Sequence, residues 1–329
     1  MRDGRQATGV VRYTVLLLAI LVLSGTGVAA REFSFSDIQA ADYPTVRAVR
    51  HMSDLLDKKT SGRLKISSGH SDPDTETYTL AQLRTGTLDM ARMTLTPFHD
   101  RIALTAVPSL PFLFRSAAHS RAVLDGPAGE TILQALEGQG VIGLCFYDGG
   151  ARSFYDSKPF RRPADIAGLT VRVQPAQIWA EMASALGAKP VAMPFNRVRA
   201  ALASKLVDAA ENHISLYWSA KHYESARIFS ATEHTWAPTV LLFSRPVWLS
   251  LSAEDRALVR EAARGSVPFM RTAWDEHEAA AKTALTAAGV EFVTDVDRPA
   301  FKALMQPIYT RYVTNPPMQK LVDEIDATR

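Results

Sequence analysis

After the first thirty residues, short strand-like segments alternate with helix-like segments along the chain. Residues 31–37 alternate apolar and polar side chains, and the runs 63–68 and 88–93 are also strand-like. Between them, residues 43–59 and 75–84 place apolar side chains at helical spacing. This alternation predicts βαβ units and a mostly parallel sheet, because parallel strands must be joined by crossover segments. The sequence therefore predicts an α/β fold.

The same order of elements repeats in the middle of the chain. Residues 121–140 are predicted as one helix, and the apolar run 141–147 as a short buried strand. Farther on, Arg172 lies on a predicted strand, and Asn212 follows the strand 206–210. Ligands of open parallel sheets bind at the carboxyl ends of strands. Asn212 is therefore predicted to lie where a ligand group belongs.

One segment near the C-terminus is unusually long for a helix. Residues 252–288 show helical periodicity, and Ser252 and Asp255 resemble a capping box at its start. At 1.5 Å per residue the helix would span roughly 55 Å, which is longer than one domain. We expect a spine that crosses two domains, with a kink at Gly265 and Pro268. The length of 329 residues also favours two domains.

The charge balance argues against a nucleic-acid partner. The formal net charge is +3, and outside the first thirty residues there are 34 basic and 33 acidic residues. A protein that binds nucleic acid normally has a larger and more clustered basic excess. Cys145 is the only cysteine, which excludes an intrachain disulfide, and its apolar surroundings predict a buried small side chain.

The first thirty residues have the pattern of a secretory signal peptide. Arg2, Arg5 and Arg12 form a basic region, and the nine apolar residues 15–23 are too few to span a bilayer. A run of small residues follows and ends at Ala30, which fits a cleavage site after that residue. We expect cleavage there and secretion of the mature protein; the alternative is an uncleaved membrane anchor.

Motif searches do not indicate an enzyme. The glycines of residues 138–143 match G-x-G-x-x-G, but the predicted helix precedes them and the strand follows, which is the reverse of a dinucleotide site. Asp72, Asp74 and Glu76 alternate without the glycine and distal glutamate of an EF-hand, and we expect a solvated turn. No catalytic or metal-ligand spacing was found, so we predict no catalysis, no cofactor and no metal.

Two arginines and one asparagine form the strongest candidate site. Arg152 and Arg172 are twenty residues apart, and Asn212 follows forty residues later. A guanidinium matches a carboxylate bidentately, and helical segments should cover both faces of the Arg172 strand, so that arginine needs an anion. The alternatives are a surface arginine on an edge strand, a snorkelling arginine and an asparagine that caps the next helix.

The chain resembles the periplasmic substrate-binding proteins of tripartite ATP-independent (TRAP) transporters. The resemblance is carried by LPFLFRS, GARSFYDSKPFRRPADIAGLTVRV, LGAKPVAMPF and VDAAEN. It implies a periplasmic-binding-protein-like fold, with two α/β domains that close over a ligand cleft and a long helix that spans both. We expect one domain from residues 31–149 and 238–277, and the other from residues 150–237 and 278–329.

The resemblance also implies roles for individual residues. Arg172 is expected to clamp the ligand carboxylate, with Arg152 as the second arginine and Asn212 as the carboxamide that completes the site. Phe195 matches an aromatic residue that packs against the ligand, with plain core packing as the alternative. Three further candidates are Thr94, Tyr217 and His234.

At several positions the chain differs from the usual sequence of the family. Arg197 and Arg199 replace an acid and a tyrosine, Lys205 replaces a glycine, and His213 and Ile214 follow Asn212. Because of these differences, the resemblance does not identify the part of the ligand beyond its carboxylate. Sugar acids are the first choice, and short hydroxy, keto or dicarboxylic acids come next.

The predicted function is therefore capture of a small organic acid and delivery to integral membrane TRAP permease subunits. We expect a monomer. Two alternatives remain open: a sensory receptor for the same acids, and an enzyme that acts on them.

Overall fold

The computed structural model describes residues 30–67 and 75–329. The predicted signal segment lies outside the described residues apart from Ala30, and so do Asp72 and Asp74. The strands are β1 Arg31–Phe33, β2 Phe35–Ser36, β3 Leu64–Ile66, β4 Met90–Thr94, β5 Val141–Tyr147, β6 Ala151–Asp156, β7 Thr170–Val173, β8 Lys189–Ala192, β9 Ala209–Asn212, β10 Ile228–Trp236, β11 Thr239–Ser244 and β12 Glu291–Val293. The α-helices are α1 Pro44–Thr60, α2 Glu76–Thr85, α3 Ala117–Asp125, α4 Pro127–Ala135, α5 Gln177–Ala185, α6 Val198–Ala203, α7 Ile214–Ser219, α8 Arg245–Leu249, α9 Ala253–Ala287, α10 Arg298–Tyr312 and α11 Pro316–Ala327.

The strands form two main sheets. One has six strands in the order β12-β10-β6-β9-β7-β8, and the other has four in the order β2-β4-β11-β5; β1 and β3 pair separately. The chain passes between the main sheets at residues 148–150 and returns at residues 237–238. Every antiparallel pairing in the described chain involves β6 or β11, the strands that follow these two connections. The predicted α/β architecture is present, whereas the residue bounds of the two domains stay a prediction.

The two connections run side by side and leave no room for a side chain at Gly149. A Cβ there would lie 1.8 Å from the carbonyl oxygen of Ala237. The next residue, Gly150, has a φ of +65°, and its Cβ would lie 2.8 Å from Cβ of His213 and 2.9 Å from Oε1 of Glu278. Glycine is needed here both for the backbone conformation and for the close approach.

The long predicted helix is present as α9, which is continuous over 35 residues. Ser252 accepts a hydrogen bond from the Asp255 amide at 3.0 Å, which is the expected cap. The helix packs against α1 and β5 and also against α7, which follows the β9 strand of the six-stranded sheet. It therefore contacts a strand of the four-stranded sheet and a helix connected to the six-stranded sheet. Pro268 lies inside α9, and the bend expected there stays a prediction.

The single helix predicted for residues 121–140 is wrong, because the structure has α3 and α4 separated at Gly126. Gly126 is extended, with φ −92° and ψ −170°, and Pro127 begins α4. A residue before proline is disfavoured in the helical region, and proline has no amide hydrogen to donate. The Gly126-Pro127 pair was visible in the sequence as a helix boundary.

Several polar side chains lie in the otherwise apolar interior. Arg152 is 3% exposed and Arg172 is 2% exposed, although each lies on a strand of the six-stranded sheet. Burying a guanidinium is costly unless it is paired. Cys145 is buried as predicted, and burial raises the pKa of its thiol far above the ordinary value.

Candidate ligand-binding site

A cavity of about 400 Å³ is lined by residues from both main sheets and their loops. This volume falls within the range of about 300–1,000 Å³ that is common for small-molecule sites. The six-stranded sheet and its loops contribute Arg152, Arg172, Gln174, Phe195, Asn212 and His213. The opposite wall contributes Gln39, Tyr43, Glu76, Arg92, Thr94 and Thr239.

Arg172 lies within β7 and has no acidic partner among the described residues. Its Nε and Nη2 donate to the carbonyl oxygen of Met193 at 3.2 and 2.9 Å. Burial lowers the pKa of Arg172 to about 10, although the Glu211 carboxylate and, more weakly, that of Glu76 favour the charged form. The side chain is therefore still a cation at neutral pH, and it carries an uncompensated charge on the cavity wall.

Arg152, on β6, differs from Arg172 because it has an acidic partner. Its Nη2 donates to Oε1 of Glu211 at 2.8 Å, its Nε donates to Oε2 of the same carboxylate, and its Nη1 donates to Oδ1 of Asn212 at 2.8 Å. The guanidinium carbon lies 5.4 Å from the ring centre of Trp179. Arg152 is thus neutralised by a bidentate, buried ion pair and held rigidly.

Asn212 is the last residue of β9, as its predicted position at a strand end requires. Its Oδ1 accepts hydrogen bonds from Arg152 and, at 3.0 Å, from the amide of His213. With the oxygen assigned this way, no hydrogen bond from Nδ2 to another described residue is present, and Asn212 lines the cavity. A carboxamide held like this offers donors to a ligand.

A third buried arginine lies on the opposite wall. Arg92, on β4, donates through Nε to Asp37 at 2.8 Å, and Asp37 also accepts bonds from Thr45 and from the Gln39 amide, both at 2.9 Å. Burial lowers the pKa of Arg92, but the Asp37 carboxylate outweighs burial and raises it above the ordinary value. This arginine therefore carries its own counterion.

Thr94 and Glu76 meet at the end of β4. The Thr94 amide donates to Oε1 of Glu76 at 2.7 Å, and the Thr94 hydroxyl donates to Oε2 at 2.6 Å. Thr94 does line the cavity, but its hydroxyl hydrogen is already engaged. Glu76 therefore brings a carboxylate to the wall opposite Arg172.

The remaining predicted site residues are divided between the cavity wall and the interior. Phe195 lines the cavity. Tyr217 lies in the core, where its hydroxyl donates to the carbonyl oxygen of Ala226 at 2.5 Å. His234 stacks on Phe154 with ring centres 4.2 Å apart. Burial, with the nearby Arg152, holds the pKa of His234 well below its ordinary range. Ligand contact by Tyr217 or His234 stays a prediction.

The positions at which this chain differs from the usual family sequence lie in different parts of the structure. His213 lines the cavity, and burial together with Arg152 and Arg92 holds its pKa well below the ordinary range, so the ring is neutral. Arg199 is exposed and pairs with Glu224 at 2.6 Å. Lys205 is exposed with a φ of +55°, a left-handed conformation that glycine adopts more readily than lysine.

Comparisons with known proteins identify the family of this chain. Residues 35–315 match the model of the bacterial extracellular solute-binding proteins, family 7. The chain belongs to that family. A TRAP periplasmic solute-binding protein from Bradyrhizobium, solved in complex with α/β-D-galacturonate, is 43% identical to this chain with a TM-score of 0.88. The superposition covers 91% of this chain and all of the Bradyrhizobium chain.

Two further relatives support the same family assignment. A TRAP periplasmic solute-binding protein from Xanthobacter autotrophicus, solved with bound β-D-galacturonate, is 42% identical, with a TM-score of 0.86 over 90% of this chain and all of that one. A solute-binding protein from Chromohalobacter salexigens is 33% identical over 88% of this chain and 87% of its own length.

Family membership confirms the predicted TRAP resemblance and the predicted fold of the periplasmic-binding-protein type. Members of this family serve as substrate-binding receptors. Among the helices of the described residues, none combines the length and the apolar character needed to cross a bilayer.

The acidic residues that decide which arginine lacks a counterion were not predicted from the sequence. Glu211 directly precedes Asn212, so it was in view but was not assigned a role. Asp37 and Glu76 lie far in sequence from their partners Arg92 and Thr94. Only the strand pairing, such as β2 beside β4, brings Asp37 close to Arg92.

Proposed function

We propose that this chain is a periplasmic receptor that holds a small sugar acid in the cavity and delivers it to a TRAP-type membrane permease. The observation that carries the proposal is Arg172, a buried cation on the cavity wall without an acidic partner in the described chain. The Bradyrhizobium and Xanthobacter relatives, solved with galacturonate, support a uronate-like ligand.

In this proposal Arg172 holds the ligand carboxylate. Its bonds to Met193 use two of its five N–H groups, which leaves three for the ligand. Asn212 adds amide hydrogens, and Arg152 serves mainly to orient Asn212. Phe195 packs against the apolar face of the sugar ring.

Closure completes the site. The two proposed domains, residues 31–149 with 238–277 and residues 150–237 with 278–329, rotate about the paired connections and α9. The ligand bridges both walls and biases the equilibrium towards the closed state. Closure removes water from the salt bridge, which strengthens it. No bond of the ligand is made or broken.

The test is the affinity of the purified protein for D-galacturonate, measured by isothermal titration calorimetry. Truncating one partner of a buried, hydrogen-bonded charge pair costs about 2–5 kcal/mol. Arg172→Ala should therefore weaken binding roughly 30-fold to several-thousand-fold. Arg172→Lys keeps the charge but loses the planar fork, so we expect an intermediate loss.

Arg199→Ala is the matched control, because Arg199 is exposed and already paired with Glu224. It should leave the affinity unchanged. If neither uronates nor other small carboxylates bind the wild-type protein, the receptor proposal is wrong. If Arg172→Ala binds as tightly as the wild type, the clamp is wrong even though the receptor role stands.

The absence of catalysis is tested on the same samples. Bound galacturonate should be recovered unchanged after long incubation, as monitored by NMR of the released ligand. Appearance of a product would favour the enzyme alternative. Transport, as opposed to sensing, is tested by reconstitution with TRAP permease subunits, and the expected species in solution is a monomer.

A further inference from the structure

The charges of the cavity wall are unevenly compensated. Arg92 is neutralised by Asp37, and Arg152 is neutralised by Glu211. Both pairs are almost fully buried, with side-chain exposures of 5% or less. Arg172 has only a backbone carbonyl as its partner. One net positive charge therefore remains among the three arginines that line the cavity.

The acidic residues that line the cavity can be compared in the same way, by asking whether each has a cationic partner. Asp148 lies 2.5 Å from Nη2 of Arg121 and is therefore compensated from outside the cavity. Glu76 forms no ion pair with any described lysine, arginine or histidine. Among the described acidic residues that line the cavity, Glu76 is the one without an ion-pair contact, although its charge acts weakly on Arg92 and Arg172.

The Glu76 carboxylate is held in a fixed orientation with unused acceptor capacity. The amide and the hydroxyl of Thr94 each donate to a different oxygen of the carboxylate. A carboxylate can accept about four hydrogen bonds, so about two remain open. The hydroxyl of Thr94, having given its hydrogen to Glu76, can only accept from a ligand. This end of the cavity therefore requires a ligand with hydrogen-bond donors.

We infer that Glu76 makes the cavity selective for acids with a single carboxylate and hydroxyl groups at the far end, and against dicarboxylates of the same size. The inference rests on the proposed function, because it takes Arg172 as the clamp for the first carboxylate. A polyhydroxy monocarboxylate would place its charge on Arg172 and donate its hydroxyl hydrogens to Glu76.

A second carboxylate would be excluded by electrostatics. A ligand held by Arg172 at one end would bring that carboxylate towards Glu76, inside a closed cavity with little water. Like charges repel strongly there because the dielectric screening is weak. A dicarboxylate also has no hydrogens to donate from its ionised end. Glu76 therefore acts as a specificity residue through both charge and hydrogen bonding.

The experiment compares two acids with the same six-carbon skeleton, D-galacturonate and galactarate. Galactarate carries a second carboxylate where galacturonate has an aldehyde or ring carbon. By calorimetry at pH 7.5, the wild-type protein should bind galacturonate roughly 100-fold more tightly or better. Glu76→Gln should reduce this preference at least about tenfold, because galactarate binds more tightly and galacturonate less tightly.

Glu254→Gln is the control, since Glu254 is an exposed glutamate in the first turn of α9 and does not line the cavity. It should preserve the wild-type preference. Circular dichroism and melting temperature establish that Glu76→Gln is folded, and the shorter Glu76→Ala provides a second variant that should also lose the preference.

The outcomes separate this inference from the proposed function. If both acids bind the wild type equally and Arg172→Ala abolishes both, the clamp stands and the role of Glu76 is wrong. If the preference is unchanged in Glu76→Gln and Glu76→Ala, the role of Glu76 is likewise wrong. If neither acid nor any other carboxylate binds the wild type, the proposed function itself fails.

Discussion

Arg152 and Arg172 lie in the same sheet and are buried to nearly the same extent, yet their surroundings differ. Arg152 shares a bidentate ion pair with Glu211, whereas Arg172 has only the carbonyl oxygen of Met193. A buried arginine with a counterion is a structural element that orients its neighbours. A buried arginine without one is unstable in isolation and attracts an anion. The counterion, and not burial, distinguishes a supporting residue from a binding residue.

The largest effect should come from making Arg152 resemble Arg172. Glu211→Gln removes the counterion and leaves a second unpaired cation in the interior. Removing one partner of a buried ion pair costs about 3–5 kcal/mol. The free energy of unfolding, measured by urea denaturation without ligand, should fall by that amount. A loss below about 1 kcal/mol would mean that the Arg152–Glu211 pair is solvated, and the contrast between the two arginines would disappear.

The converse experiment removes the unpaired charge. Because the pKa of Arg172 is lowered in the folded protein, its charged form costs folding free energy at every pH below about 10. Arg172→Met should therefore raise the unfolding free energy of the ligand-free protein by about 1–3 kcal/mol. The stabilisation by D-galacturonate should vanish in the same variant. Lower stability without ligand would contradict the picture of an uncompensated cation.

The last test applies the same rule to an acid. The pKa of Glu278 is raised to about 7, chiefly by burial; a hydrogen bond from Trp274 and the Arg121 cation oppose the rise, and the Asp148 and Asp275 carboxylates add to it. A raised carboxyl pKa favours the protonated form, so its contribution to stability is full below about pH 4.5 and lost as the pH rises through 7.

Glu278→Gln should remove this dependence. The variant should be more stable than the wild type at pH 8 by about 1–3 kcal/mol, since a one-unit change in pKa corresponds to about 1.4 kcal/mol, and the difference should shrink towards pH 5. Urea denaturation at both pH values measures it. The exposed neighbour Glu276 provides a control, since Glu276→Gln should leave the pH profile unchanged. Parallel profiles for wild type and Glu278→Gln would show that Glu278 is not buried in a charge-sensitive environment.

Much of the fold follows from local patterns in the sequence. Helical spacing and a serine cap define α9, and the alternation of strands and helices predicts the α/β class. The strand position of Arg172, covered on both faces, could also be inferred. These features depend on residues that are close in sequence, where geometry is nearly fixed.

The charge pattern of the site could not be inferred in the same way. Asp37 and Arg92 are 55 residues apart, and Thr94 and Glu76 are 18 apart, so each pairing depends on how strands and helices pack. The sequence predicted Arg152 as a second ligand-binding arginine beside the Arg172 clamp, and it did not indicate that Arg152 carries a counterion of its own. The Arg152–Glu211 pair depends on β6 lying beside β9, a neighbour relation that crosses almost sixty residues.

The isolation of Cys145 has a practical consequence. It is the only cysteine of the chain, it is buried, and its raised pKa keeps it protonated. Thiol reagents attack the thiolate, so this sulfur should stay unmodified while the protein is folded. A cysteine introduced at an exposed position on each wall of the cavity would then accept a fluorophore or spin label selectively. Closure around a sugar acid could be followed as a change in distance in an otherwise unaltered protein.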